Sequence, residues 1–226
     1  MKHRFWRHLP LWINNMTGIV AQNVGRTSGL IKAASGGGGG VWTLIKTLTS
    51  DGSDSDLSFV NGSSDVVLDS TYPIYVFKFI LIHPETDNVQ FMHNASTDAG
   101  SNYNLTKTNT VFEGETGEAD ADGTLNYITG HDIAQGTGNA KFTYNVGNDN
   151  DQSVCGEMWL FNPSSTTFVK HFRTVVSNSH NGDNIKNTHT AGYYNTTSDI
   201  DAIQFTFSSD EIQGGKIKMY GMKDSA

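Results

Sequence analysis

Along most of the chain, apolar and polar residues alternate in short runs that stop sharply at Asn, Asp, Gly or Ser, which is the period of strands rather than helices. Trp42 to Leu48 alternates in part, Leu57 to Val60 stops at Asn61-Gly62, and Val66 to Leu68 stops at Asp69-Ser70. The stretch from Tyr72 to His83 is stronger. Ile74, Val76, Ile80 and Ile82 together with Tyr75, Phe77, Phe79 and Leu81 fill both parities, which predicts a strand buried on both faces. Further runs cover Val89 to His93, Thr108 to Phe112, Leu125 to Ile128, Lys141 to Val146, Glu157 to Phe161, Phe168 to Val176, Thr190 to Tyr194, Ile203 to Phe207 and Lys216 to Tyr220. Gly214-Gly215 reads as a hairpin turn before the last of them. This cadence, with no helical period after residue 40, predicts an all-β single domain, a β-sandwich or jelly-roll-like fold over residues 41–226, and argues against an α/β enzyme.

Composition narrows this picture. With 226 residues the chain suits one sizeable core, and the low share of apolar (36%) and charged (17%) residues is that of a turn-rich β protein. The single cysteine, Cys155, excludes an intrachain disulfide and a multi-cysteine zinc site, and reads as a small buried or half-buried residue. No apolar run is long enough to span a membrane. Lys2, Arg4 and Arg7 precede Leu9 to Ile13 as in a targeting peptide, but Pro10 and Asn14-Asn15 cut the apolar run short, so a signal peptide is not expected.

Charge divides the chain unequally. The formal net charge is −8, from 15 basic and 23 acidic residues, yet Lys2, Arg4, Arg7, Arg26, Lys32 and Lys46 precede the first carboxylate, Asp51. An acid-free basic arm, residues 1–40, ends in the five glycines Gly36 to Gly40, a run with maximal backbone freedom. Such an arm can dock on an acidic neighbour, including another copy of the same body. A competing reading is nucleic-acid binding through the cations and Phe5, Trp6 and Trp12, but three charges in the first fifteen residues make a weak footprint. Met16 is an alternative start, which would place residues 1–15 upstream of the natural protein.

The search for reactive chemistry finds little. His83, His93, His131, His171, His180 and His189 are scattered without ligand spacing, and no nucleophile elbow, phosphate-binding loop or dinucleotide fingerprint is present. No catalytic, cofactor-binding or metal-binding residue is assigned, and the chain is not expected to be an enzyme. Glu118, Asp120 and Asp122 before Gly123 mimic half a calcium loop, but Thr129 stands where the bidentate Glu belongs. Asp51, Asp54 and Asp56, and Asn148 to Asp151, offer oxygen ligands of the same kind, although such loops are usually solvated turns. Tyr103, Tyr127, Tyr193 and Tyr194 are candidates for stacking on a sugar ring or for a subunit interface.

From Ser28 onward the chain resembles small structural proteins of tailed bacteriophages of marine bacteria and cyanobacteria. The residues that carry the resemblance are Ser28-Gly29-Leu30-Ile31-Lys32, Trp42 to Lys46, Val66 to Asp69 with Tyr72 to Tyr75, Phe161-Asn162-Pro163-Ser164-Ser165, Ala191 to Asn195 and Gly215 to Gly221. None is a catalytic motif. The resemblance implies a jelly-roll-like component of the virion, at the tail, a fibre base or the capsid surface, present as several copies and in the first instance as a homotrimer. Its partners would be other virion proteins and copies of itself. The expected anchor runs from Met16 to Lys32, with Leu30 and Ile31 as apolar contacts and Arg26 and Lys32 as cations. A host-glycan-binding adhesin is the alternative.

Overall fold

The computed structural model describes residues 42–119 and 123–224. Its strands are β1 (Trp42–Thr49), β2 (Asp56–Val60), β3 (Ile74–Pro84), β4 (Phe91–Ser96), β5 (Lys107–Gly117), β6 (Thr124–Tyr127), β7 (Ile133–Gly136), β8 (Ala140–Lys141), β9 (Val154–Phe161), β10 (Lys170–His180), β11 (Asn184–Tyr194), β12 (Ala202–Phe207) and β13 (Ile212–Met222). Among the described residues a single short 3-10 turn, Thr129–His131, interrupts them. No helix among the described residues is long and apolar enough to cross a membrane.

All the ladders are antiparallel and form two sheets. The larger runs β1-β13-β3-β9-β10-β11-β5-β6, with β7 also on β5, and the smaller runs β2-β12-β4-β8. The chain crosses repeatedly between β1-β13-β3-β9 in one sheet and β2-β12-β4-β8 in the other, which is the strand order of a jelly roll. The excursions β5 to β7 and β10 to β11 extend the larger sheet beyond β9.

Inward-facing aromatic residues hold the two sheets together. Phe77 and Phe79 of β3 meet Phe205 of β12, each with ring centroids 5.2 Å apart, and Phe79 meets Phe91 at 5.2 Å and Phe142 at 5.1 Å. Phe59 closes the group against Phe77 at 5.4 Å, mostly with edges on faces, the arrangement that the ring quadrupoles favour. These rings fill the space between the sheets, so the core is packed solid where the two sheets overlap.

The structure corrects several expectations. β3 is not buried evenly on both faces: Tyr75, Phe77 and Phe79 point into the core and Val76 is covered on the other side, but Leu81 is 60% exposed. Gly214-Gly215 is no hairpin turn. It lies inside β13 as a bulge, where Gly215 (φ 102°) sits against Leu81 (φ 51°), and a Cβ there would meet the Leu81 carbonyl at 2.3 Å. Val66 to Leu68 forms no strand, because Asn61 Oδ1 takes the Leu68 N–H that a partner strand would otherwise take. In Lys141 to Val146 the continuous ladder stops at Lys141, where Thr143 Oγ1 replaces the backbone as acceptor for Phe91 N–H, and pairing returns only as single bridges of Val146 to Val89 and His180.

Beyond β9 the inner face changes character. Thr174, Asn178, Thr188 and Thr190 are buried there, and the segment 128–146 bonds to this part of the sheet through Asn109, Val111 and Asn178. His93 is fully buried, with Nδ1 at 2.7 Å from the Tyr194 hydroxyl, and burial together with the nearby Lys107 charge pushes its pKa well below the usual 6.5. Burial also lowers His131, to about 4. Below pH 6.5 the unfolded chain therefore takes up protons that the folded chain refuses. Stability is full above that pH and falls beneath it, with a slope approaching about 1.4 kcal/mol per pH unit for each such histidine. Urea midpoints measured between pH 7.5 and 5 should fall steadily, above the range where most carboxylates titrate; a flat profile would contradict the buried neutral state.

Candidate functional site

The outer face of the larger sheet is the part of the surface least like that of an ordinary sandwich, whose outward positions are normally polar. Cross-strand register places its side chains in transverse rows. One row runs Leu44, Tyr220, Val76, Trp159, Arg173; the next runs Thr47, Lys218, Lys78, Glu157, Val175. Trp42 stands beside the first, edge-on to Trp159 at 5.5 Å and to Tyr220 at 5.9 Å, and Trp159 stacks on Phe161 at 6.4 Å. Val76 lies completely buried beneath these rings, although it points away from the core. Leu44 (50%) and Trp42 (38%) remain substantially exposed.

Cations surround the aromatic group. Lys78 Nζ lies 5.6 Å from the Trp42 ring centre and the Arg173 guanidinium 5.7 Å from that of Trp159, both distances at which a cation is attracted to a ring face. Lys216 and Lys218 project on the same side from β13. Glu157 is the one outward carboxylate among the described strand residues of this sheet. Burial would raise its pKa, but its ion pair with Lys78 and the 2.7 Å hydrogen bond from Trp159 Nε1 outweigh that and hold it below the usual value. Lys78 and Lys218 remain direct cross-strand neighbours, a like-charge pair that costs the sheet stability.

The expected site residues fall in several places. Arg26, Leu30, Ile31 and Lys32 lie outside the described residues, as do Asp120 and Asp122. Tyr194 is no surface aromatic: it is fully buried, with its hydroxyl on His93 and Lys107 Nζ 5.7 Å from its ring, because its position in β11 faces inward. Tyr103 is half-buried in the loop over β2, where burial raises its pKa. Tyr193 lies on the outer face, 6.0 Å from the His171 ring, and its hydroxyl accepts from Gln135 Nε2 at 3.2 Å. Tyr127 is 60% exposed, with its hydroxyl held by Asp132 and Thr110. The four tyrosines therefore do not converge on one site. The sequence carries the aromatic and cationic face only as the alternation of Lys216, Lys218 and Tyr220 and of Glu157, Trp159 and Phe161 against core positions.

A second polar feature lies at the end of the sandwich. A cleft of about 200 Å³ is lined by Glu118, Asp151, Gln152, His180 and Asp183, among others. Close to it, Lys186 Nζ reaches Glu113 at 2.8 Å and Glu115 at 2.6 Å, and Thr188 Oγ1 donates to Glu113 at 3.0 Å. Burial works against the Lys186 charge, but its two carboxylates raise its pKa in spite of that. Among the described residues no group of three or more His, Cys, Asp or Glu is placed to hold a metal ion. Asp51 and Asp54 instead accept hydrogen bonds from their own turn.

Comparison with known proteins finds no matching family model, no matching curated protein and no matching solved structure.

The two ion-pair systems differ sharply in burial, and so in what they contribute. Glu113 is 2% exposed, so Lys186→Met strands a buried carboxylate and should cost about 3–5 kcal/mol. Lys78→Met removes a partner from the more open Glu157 and should cost about 1 kcal/mol or less. Denaturant titration of both variants checks the order, and equal losses would contradict it.

Proposed function

We propose that this chain is a structural building block of a tailed-phage particle, a non-catalytic jelly-roll module that is present in several copies and binds its neighbours through surfaces rather than through an active site. The observation that carries the proposal is the outer face of the larger sheet, where Trp42, Leu44, Trp159, Phe161 and Tyr220 form an aromatic and apolar group on the side of the sandwich away from its core. Contiguous apolar surface of this kind marks contact with another macromolecule. The sequence resemblance to phage structural proteins supplies the particle, and the jelly-roll order agrees with it, since viral coat domains use that architecture. Fold alone does not decide function, because lectin domains share the architecture.

The charge of the arm fits the same role. Residues 1–41 lead into β1, whose first residue, Trp42, pairs with Met222. A basic segment attached at that point is suited to engaging a neighbouring subunit or another virion protein. The glycan-binding alternative keeps Tyr127 and Tyr193 as surface aromatics but loses Tyr194 to the core.

Mass spectrometry of purified phage particles tests the proposal directly. The expected result is this chain at a fixed copy number per particle, retained after stringent washing. Absence from particles, with glycan-array binding by the full chain, would replace the structural role with an adhesin.

A further inference from the structure

The charges of the body are segregated in space. At the end of the sandwich where β1, β3, β5, β10 and β12 finish, the connecting loops are bonded to one another. Glu85 N donates to Glu211 O at 3.0 Å, Asn148 Nδ2 to Glu85 O at 2.9 Å, Ile212 N to Asp54 O at 2.7 Å and Glu118 N to Asp183 O at 3.0 Å. Each of these loops carries at least one carboxylate, among them Asp51, Asp87, Asp149, Asp183 and Asp210, and their described residues include no Lys or Arg. The outer face of the larger sheet has the opposite sign, with Lys78, Arg173, Lys216 and Lys218 against Glu157.

We propose that this cationic, aromatic sheet face docks the acidic loop end of a second copy of the chain, so that copies join head to tail. The contact is heterologous, with a different patch on each partner, so it generates a ring when the rotation closes and a filament when it does not. Charge selects the occupant. Residues 1–41, the segment that leads into β1, carry Lys2, Arg4, Arg7, Arg26 and Lys32 and no carboxylate, so they would bring like charge to the face. A second copy turned face to face also opposes like charges. The loop end of another copy supplies carboxylates on a bonded, pre-formed surface, and it releases the repulsion between Lys78 and Lys218 that the isolated sheet bears. The Trp42 and Trp159 rings supply the desolvated centre that such a contact needs. The inference rests on the structural role proposed above and specifies its partner.

A charge-swap experiment on the full chain tests it. Wild type should self-associate in light scattering at low ionic strength and weaken toward about 1 M salt, where the screening length falls to about 3 Å. Lys216→Glu/Lys218→Glu on the face, and separately Asp87→Lys/Asp149→Lys on the loops, should each raise the concentration needed for association at least tenfold. The face variant should unfold no earlier than wild type, since the carboxylate introduced in place of Lys218 would oppose Lys78 with the favourable sign. Mixing the two variants should restore association, because each then offers the other a complementary pair of surfaces. Three results would each overturn the proposal: a wild-type chain monomeric throughout, a loop variant that associates like wild type, or a mixture that stays monomeric. Binding of heparin or single-stranded DNA by a chain that remains monomeric would also reject a second copy as the occupant. Detection in particles is independent of these outcomes, so a failed charge swap beside a chain present in virions removes the head-to-tail contact and leaves the structural role.

Discussion

The aromatic contact between the two sheets is the constraint from which the rest of the structure follows. Phe59, Phe77, Phe79, Phe91, Phe142 and Phe205 come from segments far apart in sequence, and they meet only when β3 and β12 lie in facing sheets. That meeting requires the chain to cross repeatedly from one sheet to the other, which is the jelly-roll path. Without a disulfide, no covalent link substitutes for this packing. The bulges are consequences of it: β3 kinks at Leu81 and β13 at Gly215, and this keeps Ile82 and Ile217 in the core on either side of the kink.

The same constraint explains why the larger sheet has two interiors. The small sheet is four strands wide and touches β10 and β11 through His93, which meets Phe172 and Tyr194, so the rest of β10, β11 and β5 requires a different lid. Away from Phe142, segment 128–146 supplies it largely with backbone and polar groups. Asp132 Oδ1 accepts from Val111 N at 3.0 Å, His131 O from Asn109 Nδ2 at 3.1 Å, and Gly138 O from the buried Lys107 Nζ at 2.7 Å. Buried Lys107, Asn109 and Asn178 follow from a polar lid, because apolar residues in their places would leave the lid's carbonyls without partners. Lys107, lowered to about 8 by burial, records the cost of this solution.

Sequence periodicity made the strands legible because period-two alternation and turn residues are local signals. Strands stand where Trp42, Leu57, Glu157, Ile203 and Lys216 announced them, but β5, β10, β11 and β13 each run four to six residues beyond the expected bounds at one end. What stayed hidden depends on partners. Val66 to Leu68 has strand composition, but Asn61, seven residues earlier in the same loop, takes the Leu68 N–H, and strand periodicity does not report such a side-chain acceptor. Gly214-Gly215 carries the chemistry of a turn and is used as a bulge, since the choice depends on whether the chain reverses or continues along β3. Tyr193 and Tyr194 are adjacent and equivalent in composition, yet strand parity sends one outward and the other into the core. The aromatic face was readable as alternation in each strand, but only register aligns Tyr220, Val76, Trp159 and Arg173 into a row.

The rows of the outer face also separate stability from function. A sheet selected for folding alone would alternate charge signs across strands, and it would not set Lys218 against Lys78 or leave Leu44 in water. The buried triad of Lys186, Glu113 and Glu115 shows that this chain places opposite charges together where folding requires it. The same chain leaves one carboxylate among the cations of the face and gathers others on loops at the end of the body. A local conflict of this kind persists when something outside the folded monomer offsets it. An acidic surface laid on the face is the partner whose chemistry does so, because it neutralises both lysines and covers the tryptophans in one contact.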